Sequence, residues 1–579
     1  MIKEKIFKNK LKYFLYFISI FLCIISLVSS FYLTPFFIHN YCTANLPQGS
    51  SLEHCNYENF SGIQLKLIAF AFIWLLVFLF LLVFNKELFS IKIDTKKIPK
   101  FFYKIKKDYK KNKIHYWFLF VIILLGILVR VYYLNIPMKT DESSTYVWYA
   151  SWPAYISQSL YTYPNNHLFH TLLVKVSTAI FGSSEVAIRL PAFIFGILNM
   201  FISYYLGRKF FNKEIGILLC SFVTISGYFI EYSIEARGYS IVAFFAIASI
   251  IIANRILNKN KLKSWLLLAL CLALSVYTIP SMIYFVIIIY LWVIYEKRFN
   301  LLDKKFLKNL IISSMLLLIL ITVLYYPVIL ISGLNSIIKN KAVKSYSFSY
   351  VLNNLFPYLD KFVKSLYLNF PLINAYGWII FSSVGLILAN IINKKNRIVS
   401  LLNLFIPIIL ILMILQRVLP FVRTYLWVFP IFYLLLSIFF YYIFDCLFKN
   451  KKNVMLNIFC IVIVLLGVYN FGSIYKNNFN YLGDTRLVYN YLNEKLENNS
   501  CIVLFNISQN PYEYYFTKEY FREIYCKKGK EYDLIYGIIN PELSLNNENY
   551  NYLSNYAGTK VKSFDKNDIW LFIKLENKS

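Results

Sequence analysis

Two adjacent carboxylates, Asp141 and Glu142, follow a long apolar run in a chain that has few acidic residues. At a membrane surface, one such acid can be shielded from water and act as a general base while its neighbour stays ionised. The same pair would also suit a solvated loop or the N-terminus of a helix, where acidic side chains are favoured. The pair is therefore a candidate for catalysis with a structural alternative beside it.

A polar segment, Pro164-Asn165-Asn166-His167, opens a moderately amphipathic stretch over 167–181. That stretch is too short and too polar to cross a membrane, but it is suited to lie in the interface. It holds two of the five histidines of the chain. His167 either makes a structural polar contact there or donates toward a phosphate or an acceptor hydroxyl.

The composition indicates the class of protein in which these residues lie. Of 579 residues, 59% are hydrophobic and 15% are charged, and 60 Lys and Arg against 29 Asp and Glu give a net charge of +31. Such values exclude a soluble domain, a disordered chain and a disulfide scaffold. The positive excess suits either a nucleic-acid partner or the cytoplasmic loops of a membrane protein.

Apolar runs of the length that crosses a bilayer occur about thirteen times. They predict a multi-pass α-helical membrane protein with spans at 11–33, 62–84, 116–134, 187–206, 214–231, 239–256, 264–279, 281–295, 309–331, 375–392, 399–416, 425–447 and 454–473.

The charges give this arrangement an orientation. Lys3, Lys5, Lys8 and Lys10 place the N-terminus in the cytoplasm, and every loop that should then be cytoplasmic is basic. The lysine-rich segment 86–115 is one of these loops, so topology explains it better than nucleic acid does. We therefore expect a multi-pass membrane protein with its N-terminus in the cytoplasm, with the lipid bilayer and no nucleic acid among its partners.

Two arginines break this pattern. Arg237 and Arg423 lie at outer span ends, where a guanidinium asks for an anionic partner. Glu231, Glu235 or the acidic pair could be that partner, and a lipid phosphate bound in bidentate fashion is the other candidate. Gly238 would let the backbone approach such a ligand closely.

Three units are expected along the chain. Residues 1–115 form a two-span N-terminal extension with an outer loop and a basic inner loop, 116–473 form the membrane core, and 474–579 form a small extracytoplasmic α/β domain. In that tail, 501–505 and 569–573 are predicted strands and 485–497 a predicted helix. Four cysteines lie on the predicted oxidising side, namely Cys42, Cys55, Cys501 and Cys526. They form either two disulfides, Cys42–Cys55 and Cys501–Cys526, or four free thiols.

Aromatic side chains are abundant, with 50 Tyr and 53 Phe. In a bilayer most of them fill cores and interfaces, although rings can also stack on a sugar. Tyr146, Trp148 and Tyr149, next to the acidic pair, are the best candidates for ligand contact, and we place Tyr146, Trp148 and Asn166 on the acceptor side of a site.

Four motifs in order carry a family resemblance: Asp141-Glu142, Asn165-Asn166-His167, the segment 181–191 (Phe-Gly-Ser-Ser-Glu-Val-Ala-Ile-Arg-Leu-Pro), and 232–239 (Tyr-Ser-Ile-Glu-Ala-Arg-Gly-Tyr). Over about 116–260 the chain resembles the bacterial branch of the protein-mannosyltransferase and aminoarabinose-transferase-like family, integral-membrane glycosyltransferases of the C superfamily. The segment 417–425 is similar to the later Arg-x-Tyr motif of that family.

The resemblance implies a glycosyltransferase C-type core with interfacial helices in its first outer loop, and a polyprenyl-phosphate-linked sugar as donor. The sugar would pass with inversion to a protein, lipid or glycan acceptor on the extracytoplasmic side. Asp141 matches the catalytic carboxylate, the general base, and Glu142 its acidic neighbour. Arg237, Tyr239 and His167 match the donor pocket, and Lys139 and Arg423 join them as phosphate-binding candidates.

Cofactors are not indicated. Some members of the superfamily use a divalent metal, but the sequence contains no Asp-x-Asp motif, so no metal is assigned. No phosphate-cradling Gly-rich loop argues for a nucleotide donor either.

Two other functions stay open. A transporter or flippase would use the same charges along a substrate path, and prolines that interrupt spans are compatible with it. An outer-face glycan polymerase or ligase would depend on a large basic outer loop, for which 332–374 is the candidate.

Overall fold

The structure is a computed structural model that describes residues 2–28, 60–84, 108–161, 163–298, 303–340, 345–366, 374–474, 484–505, 507–527, 532–539, 556–564 and 566–574. Its helices are α1 (Ile2–Val28), α2 (Phe60–Val83), α3 (Lys113–Tyr133), α4 (Thr140–Ser144), α5 (Ala154–Ser157), α6 (Leu168–Phe181), α7 (Glu185–Phe210), α8 (Lys213–Ile225), α9 (Gly227–Ile234), α10 (Tyr239–Lys259), α11 (Leu262–Thr278), α12 (Ile283–Glu296), α13 (Lys304–Ile331), α14 (Asn335–Ile338), α15 (Phe348–Ser365), α16 (Ala375–Ile392), α17 (Arg397–Gln416), α18 (Phe429–Phe448), α19 (Lys452–Ile474), α20 (Thr485–Lys495), α21 (Asn510–Tyr515) and α22 (Lys518–Ile524). The strands are β1 (Ser500–Phe505), β2 (Leu534–Ile539), β3 (Tyr556–Phe564) and β4 (Asn567–Lys574).

The expected multi-pass helical architecture is confirmed. Within the described ranges, eight helical segments are long and apolar enough to cross a membrane, namely α3, α7, α10, α13, α16, α17, 422–448 and α19. Shorter apolar helices stand at four of the other predicted runs, 11–33, 62–84, 264–279 and 281–295. The count of thirteen spans stays a prediction for those shorter helices.

The predicted span 214–231 is not one helix. It breaks at Ser226, whose extended backbone separates α8 from α9. The buried guanidinium of Arg130, from α3, lies beside this break, 3.4 Å from the carbonyl oxygen of Thr224 and 3.2 Å from the hydroxyl of Ser233. A helix that ends inside a membrane protein leaves carbonyl groups without intrahelical partners, and Arg130 donates to one of them.

The hydrophobic core of the membrane region lies where α8, α10, α11, α12 and α18 pack together. The segment between α3 and α7 rests on the end of this core and carries α4, a π-helical segment over Thr145–Ala150, α5 and α6. It is the segment that the sequence predicts as the first outer loop, and it keeps that name below. The interfacial helix predicted at 167–181 is α6. The loop therefore holds Asp141 and His167 against the start of α10.

The C-terminal residues form a small domain with a four-stranded sheet in the order β1-β2-β4-β3. β1 and β2 are parallel, and β4 is antiparallel to both of its neighbours. The predicted strands are β1 and β4 and the predicted helix is α20, whereas β2 and β3 were not anticipated. Cys501 and Cys526 form a disulfide, and Cys42 and Cys55 lie outside the described residues.

This domain docks on the first outer loop through α21. Asn510 donates to the hydroxyl of Ser144, and the indole of Trp148 donates to Glu513 over 3.1 Å. The hydroxyl of Tyr515 accepts from the backbone N–H of Met138 over 3.0 Å. The small domain thus packs directly against the loop that carries the acidic pair.

Candidate active site

A cavity of about 440 Å³ lies where the first outer loop, the start of α10 and the C-terminal domain meet. Its lining includes six residues that were singled out above: Asp141, Trp148, His167, Arg237, Tyr239 and Arg423. Other lining residues come from 163–165, from the segments around Pro280 and Pro420, and from the C-terminal domain at Asn510. The sequence places these residues as much as 282 positions apart, and the fold brings them to one end of the membrane core.

Asp141 lies in the first turn of α4, and its side chain is 41% exposed toward the cavity. Its Oδ2 is 3.2 Å from Nη2 of Arg423 and 3.8 Å from Nη2 of Arg237. One carboxylate between two guanidinium groups leaves the site with a net positive charge, which is the electrostatic setting for a second anion.

Arg237 is 2% exposed and is fixed in place by polar contacts. Its Nη1 donates to the side chain of Asn165 and, over 3.1 Å, to the backbone carbonyl of Asn165. Burial by itself lowers the pKa of Arg237, but Tyr239 and Asp141 outweigh it and the pKa is raised. Among the described residues, its buried Nε has no hydrogen-bond partner, so one N–H donor of the guanidinium is left for a ligand.

Arg423 comes to the same place from the short 3₁₀ segment Val422–Val428. Its Nε donates to the hydroxyl of Tyr239 over 3.0 Å, and Nη2 of Arg237 lies 3.4 Å from that hydroxyl. The hydroxyl of Tyr239 therefore bridges the two guanidinium groups, whose like charges repel each other.

His167 closes the inner wall of the cavity at the N-terminus of α6. Its Nδ1 accepts a hydrogen bond from the backbone N–H of Gly238 over 2.8 Å, so the neutral ring carries its proton on Nε2. Burial lowers the pKa of His167 well below 6.5, and Arg237 adds to this effect. A Cβ on Gly238 would lie 2.5 Å from Thr278 and 3.0 Å from His167. Gly238 thus permits a close approach to His167, where the sequence suggested an approach to a ligand.

We expect the replacement His167→Asn to flatten the response of stability to acid. Because the folded protein holds His167 neutral, the unfolded chain takes up the proton first as the pH falls below about 6.5, and stability drops by about 1.4 kcal/mol per pH unit over that window. Asn keeps an oxygen near the position of Nδ1. The midpoint of thermal unfolding in detergent should therefore fall less steeply between about pH 7 and about pH 5 in the variant. An equal slope in both proteins would contradict the assignment.

Glu142 points away from the cavity. It is fully buried, its carboxylate is paired with the guanidinium of Arg189, and it accepts from the backbone N–H groups of Lys139 (2.9 Å) and Ala236 (3.1 Å). The contact with Lys139 is the one that a Glu at the third position of a helix makes with the residue before its first turn. The geometry of Glu142 is therefore that of a positioning residue, and its side chain does not reach the cavity.

Three further candidates are also placed outside the cavity lining. Lys139 is buried against Glu231, over 3.3 Å, and Glu235. Asn166 is buried and donates to the backbone carbonyls of Ser157 and Leu160. Tyr146 lines a neighbouring cleft against the C-terminal domain. Trp148 is the acceptor-side candidate that does line the cavity.

Two polar lining residues, Asn165 and Asn510, make contacts at the site that were not assigned to them from the sequence. Asn165 holds Arg237 and donates to the backbone carbonyl of Asp141 over 3.1 Å. Its position in an Asn-Asn pair was a usable signal, although the pattern does not tell which of the two faces the site. Asn510 reaches the cavity from the C-terminal domain, and no local pattern marks it.

The donor set does not resemble a metal centre. Within the ranges that the structure describes, no group of three His, Cys, Asp or Glu side chains could hold a metal ion. The charged neighbours of Asp141 are the guanidinium groups of Arg237 and Arg423, and these two positive charges would repel a metal cation bound at the same carboxylate.

Comparisons with known proteins concern the family of one segment and the fold of the whole chain. Residues 166–326 match the family model described as dolichyl-phosphate-mannose-protein mannosyltransferase. The crystal structure of ArnT from Cupriavidus metallidurans in the apo state superposes with a TM-score of 0.53 at 10% identity, over 78% of this chain and 97% of ArnT. The membrane protein described here has the ArnT fold.

ArnT bound to undecaprenyl phosphate gives the same coverage of both chains, with a TM-score of 0.51 and 11% identity. No curated protein sequence matches the chain significantly. The family match agrees with the resemblance drawn from the motifs over residues 166–326. The ArnT structures confirm the expected fold, a multi-pass helical membrane core followed by a small sheet domain.

Proposed function

We propose that the protein transfers a sugar from a polyprenyl-phosphate donor to an acceptor at the extracytoplasmic face of a bacterial cell membrane, with inversion at the anomeric carbon. The observation that carries this proposal is the position of Asp141 between Arg237 and Arg423 in one cavity. Displacement at an anomeric carbon needs a base for the incoming hydroxyl and stabilisation of the departing phosphate, and these three side chains can supply both.

In this mechanism, Asp141 takes the proton of the acceptor hydroxyl while the oxygen of that hydroxyl bonds to the anomeric carbon. The bond between that carbon and the phosphate oxygen breaks, and the polyprenyl phosphate departs with the electron pair. Arg237 and Arg423 stabilise the phosphate, and the donors include Nε of Arg237, which has no hydrogen-bond partner in the part of the chain that the structure describes. Asp141 then returns the proton to water through its exposed side.

A second cavity supports a lipid donor. It measures about 930 Å³, is lined mainly by apolar side chains of α11 to α14, and adjoins the first cavity through shared residues that include Pro280, Ile337 and Pro420. An apolar space beside a cationic one fits a molecule with a phosphate head and a hydrocarbon chain. The ArnT complex with undecaprenyl phosphate is a structure of the same fold with such a lipid.

The test is transfer by the purified full-length protein in lipid nanodiscs. Radiolabelled polyprenyl-phosphate sugars are incubated with the protein and bacterial membrane extracts, and the labelled product identifies both the sugar and the acceptor. Label that moves from donor to acceptor supports the proposal. Label that stays on the donor, with uptake of the labelled lipid across proteoliposomes, would instead establish a flippase.

We expect Arg237→Ala to weaken donor binding by about 10- to 100-fold, since a charge-assisted hydrogen bond to a buried guanidinium is lost. Arg237→Lys should recover part of the affinity, because it restores the charge but not the fork of donors. Equilibrium binding of radiolabelled polyprenyl phosphate measures both. Arg255→Ala, at the opposite end of α10, is the matched control, and an equal loss in that variant would refute the phosphate role of Arg237.

A further inference from the structure

A second charged cavity lies at the opposite end of the membrane core, and the catalytic proposal does not use it. It measures about 450 Å³ and is lined by residues that include Lys110, Lys111, Lys113, Lys213, Glu214 and Asn457. We call it the basic cavity. α3 begins beside it and ends near the first outer loop, so its 21 residues separate the two sites by about 30 Å.

The charges of the basic cavity favour an anion. Four lysines and one glutamate contribute to its lining. Lys213 lies 3.9 Å from Glu214 and donates to Asn112 over 2.5 Å. The other three lysines are exposed at the rim. The positive charge therefore exceeds what the single carboxylate can neutralise.

Helix geometry adds to this preference. The first turns of α3, α8 and α19 all contribute to the lining, so the positive ends of three helix dipoles converge on one space. The residue before α3, Asn112, makes no capping hydrogen bond with its side chain. Backbone N–H groups at a helix N-terminus and nearby lysines are the usual ligands of a phosphate group.

A buried amide points to a ligand independently of these charges. Asn457, on α19, is 6% exposed and lines the basic cavity, and its Oδ1 has no hydrogen-bond partner among the described residues. A buried acceptor without a partner is costly unless something donates to it. A hydroxyl on the phosphate or on its ester would satisfy Oδ1 while the lysines hold the phosphate oxygens.

We propose that the basic cavity binds a phosphate group at the membrane surface opposite the candidate active site. The phosphate comes either from the headgroup of an anionic phospholipid or from free phosphate. Basic pockets between membrane helices are known to select such headgroups. This inference is independent of the proposed function, because no residue of the basic cavity lines the catalytic one.

The test compares two double variants of the full-length protein by native mass spectrometry. Lys111→Gln with Lys113→Gln removes two charges from the basic cavity. Lys261→Gln with Lys263→Gln removes two exposed charges from the start of α11, at the same membrane surface, and is the matched control. Each protein is titrated with phosphatidylglycerol, whose phosphate ester carries free hydroxyls, and with phosphatidylcholine. We expect the cavity variant to bind phosphatidylglycerol about tenfold more weakly and the control to change by less than about twofold.

Inorganic phosphate distinguishes the two sources. If it displaces phosphatidylglycerol from the unmodified protein at concentrations that leave phosphatidylcholine bound, the basic cavity takes free phosphate as well. If phosphatidylglycerol stays bound, the ligand is the lipid headgroup. Equal weakening of binding in both double variants, or equal binding of the two lipids, would show that the site has no selectivity for this phosphate and would overturn the proposal.

A third variant tests the buried amide. Asn457→Asp puts a carboxylate at the position of Oδ1, so it should weaken phosphatidylglycerol binding as the cavity variant does. Its midpoint of thermal unfolding is the check on folding.

Discussion

The variant Asp141→Asn is expected to lose sugar transfer by about 10²- to 10⁴-fold, the range that a positioned general base contributes. The amide keeps the shape of the side chain and cannot accept the proton of the acceptor hydroxyl. Asp141 is 41% exposed and does not belong to the hydrophobic core, so its replacement should leave the fold intact. Turnover of a labelled lipid-phosphate sugar by the purified variant is the measurement.

Donor binding separates a base from a structural acid. The carboxylate of Asp141 competes for the two guanidinium groups that are proposed to hold the phosphate, so Asp141→Asn should bind polyprenyl phosphate at least as well as the unmodified protein. The loss should therefore appear in kcat and not in KM. Asp108→Asn, which removes the partner of Arg208 at the other end of the membrane core, is the matched control. Full turnover by Asp141→Asn would exclude the base assignment.

The second large effect concerns stability. Arg189→Gln should destabilise the protein by about 3–5 kcal/mol, because it leaves the carboxylate of Glu142 buried without its charged partner. Arg189 also donates to the backbone carbonyls of Leu134 and Pro137, over 2.9 and 3.1 Å, and so holds the end of α3 to the loop that carries Asp141. Thermal unfolding in detergent measures the loss.

The double variant Glu142→Gln with Arg189→Gln tests the same pair from the other side. Removing both charges should recover part of the stability that Arg189→Gln loses, because no uncompensated carboxylate remains. If Glu142 acted only in catalysis, the double variant would be no more stable than Arg189→Gln. Such a result would contradict the positioning role assigned to Glu142.

Much of the architecture could be predicted because membrane spans are long apolar runs and because basic loops report which side they lie on. The same logic identified Asp141, Arg237 and Arg423, since these charges depart from the pattern. The fold brings both arginines within 4 Å of the carboxylate of Asp141.

Neighbours in sequence could not be told apart in the same way. Successive residues of a helix point about 100° apart, so Asp141 faces the cavity while Glu142 faces the core. Asn165 and Asn166 lie in the turn before α6 and also point to different partners, since Asn165 reaches Arg237 and Asn166 donates to backbone carbonyls. The break at Ser226 and the approach of Asn510 depend on tertiary contacts with distant segments, and local patterns do not encode those contacts.

The docking of α21 on α4 also bears on how the protein is made. Asn510, which completes the cavity wall, hydrogen-bonds to Ser144, 366 residues earlier in the chain. A ribosome finishes the membrane core and its arginines well before it reaches that residue. The cavity therefore lacks this part of its wall while the membrane core is being made, and it acquires its final shape only after the C-terminal domain has folded against the loop.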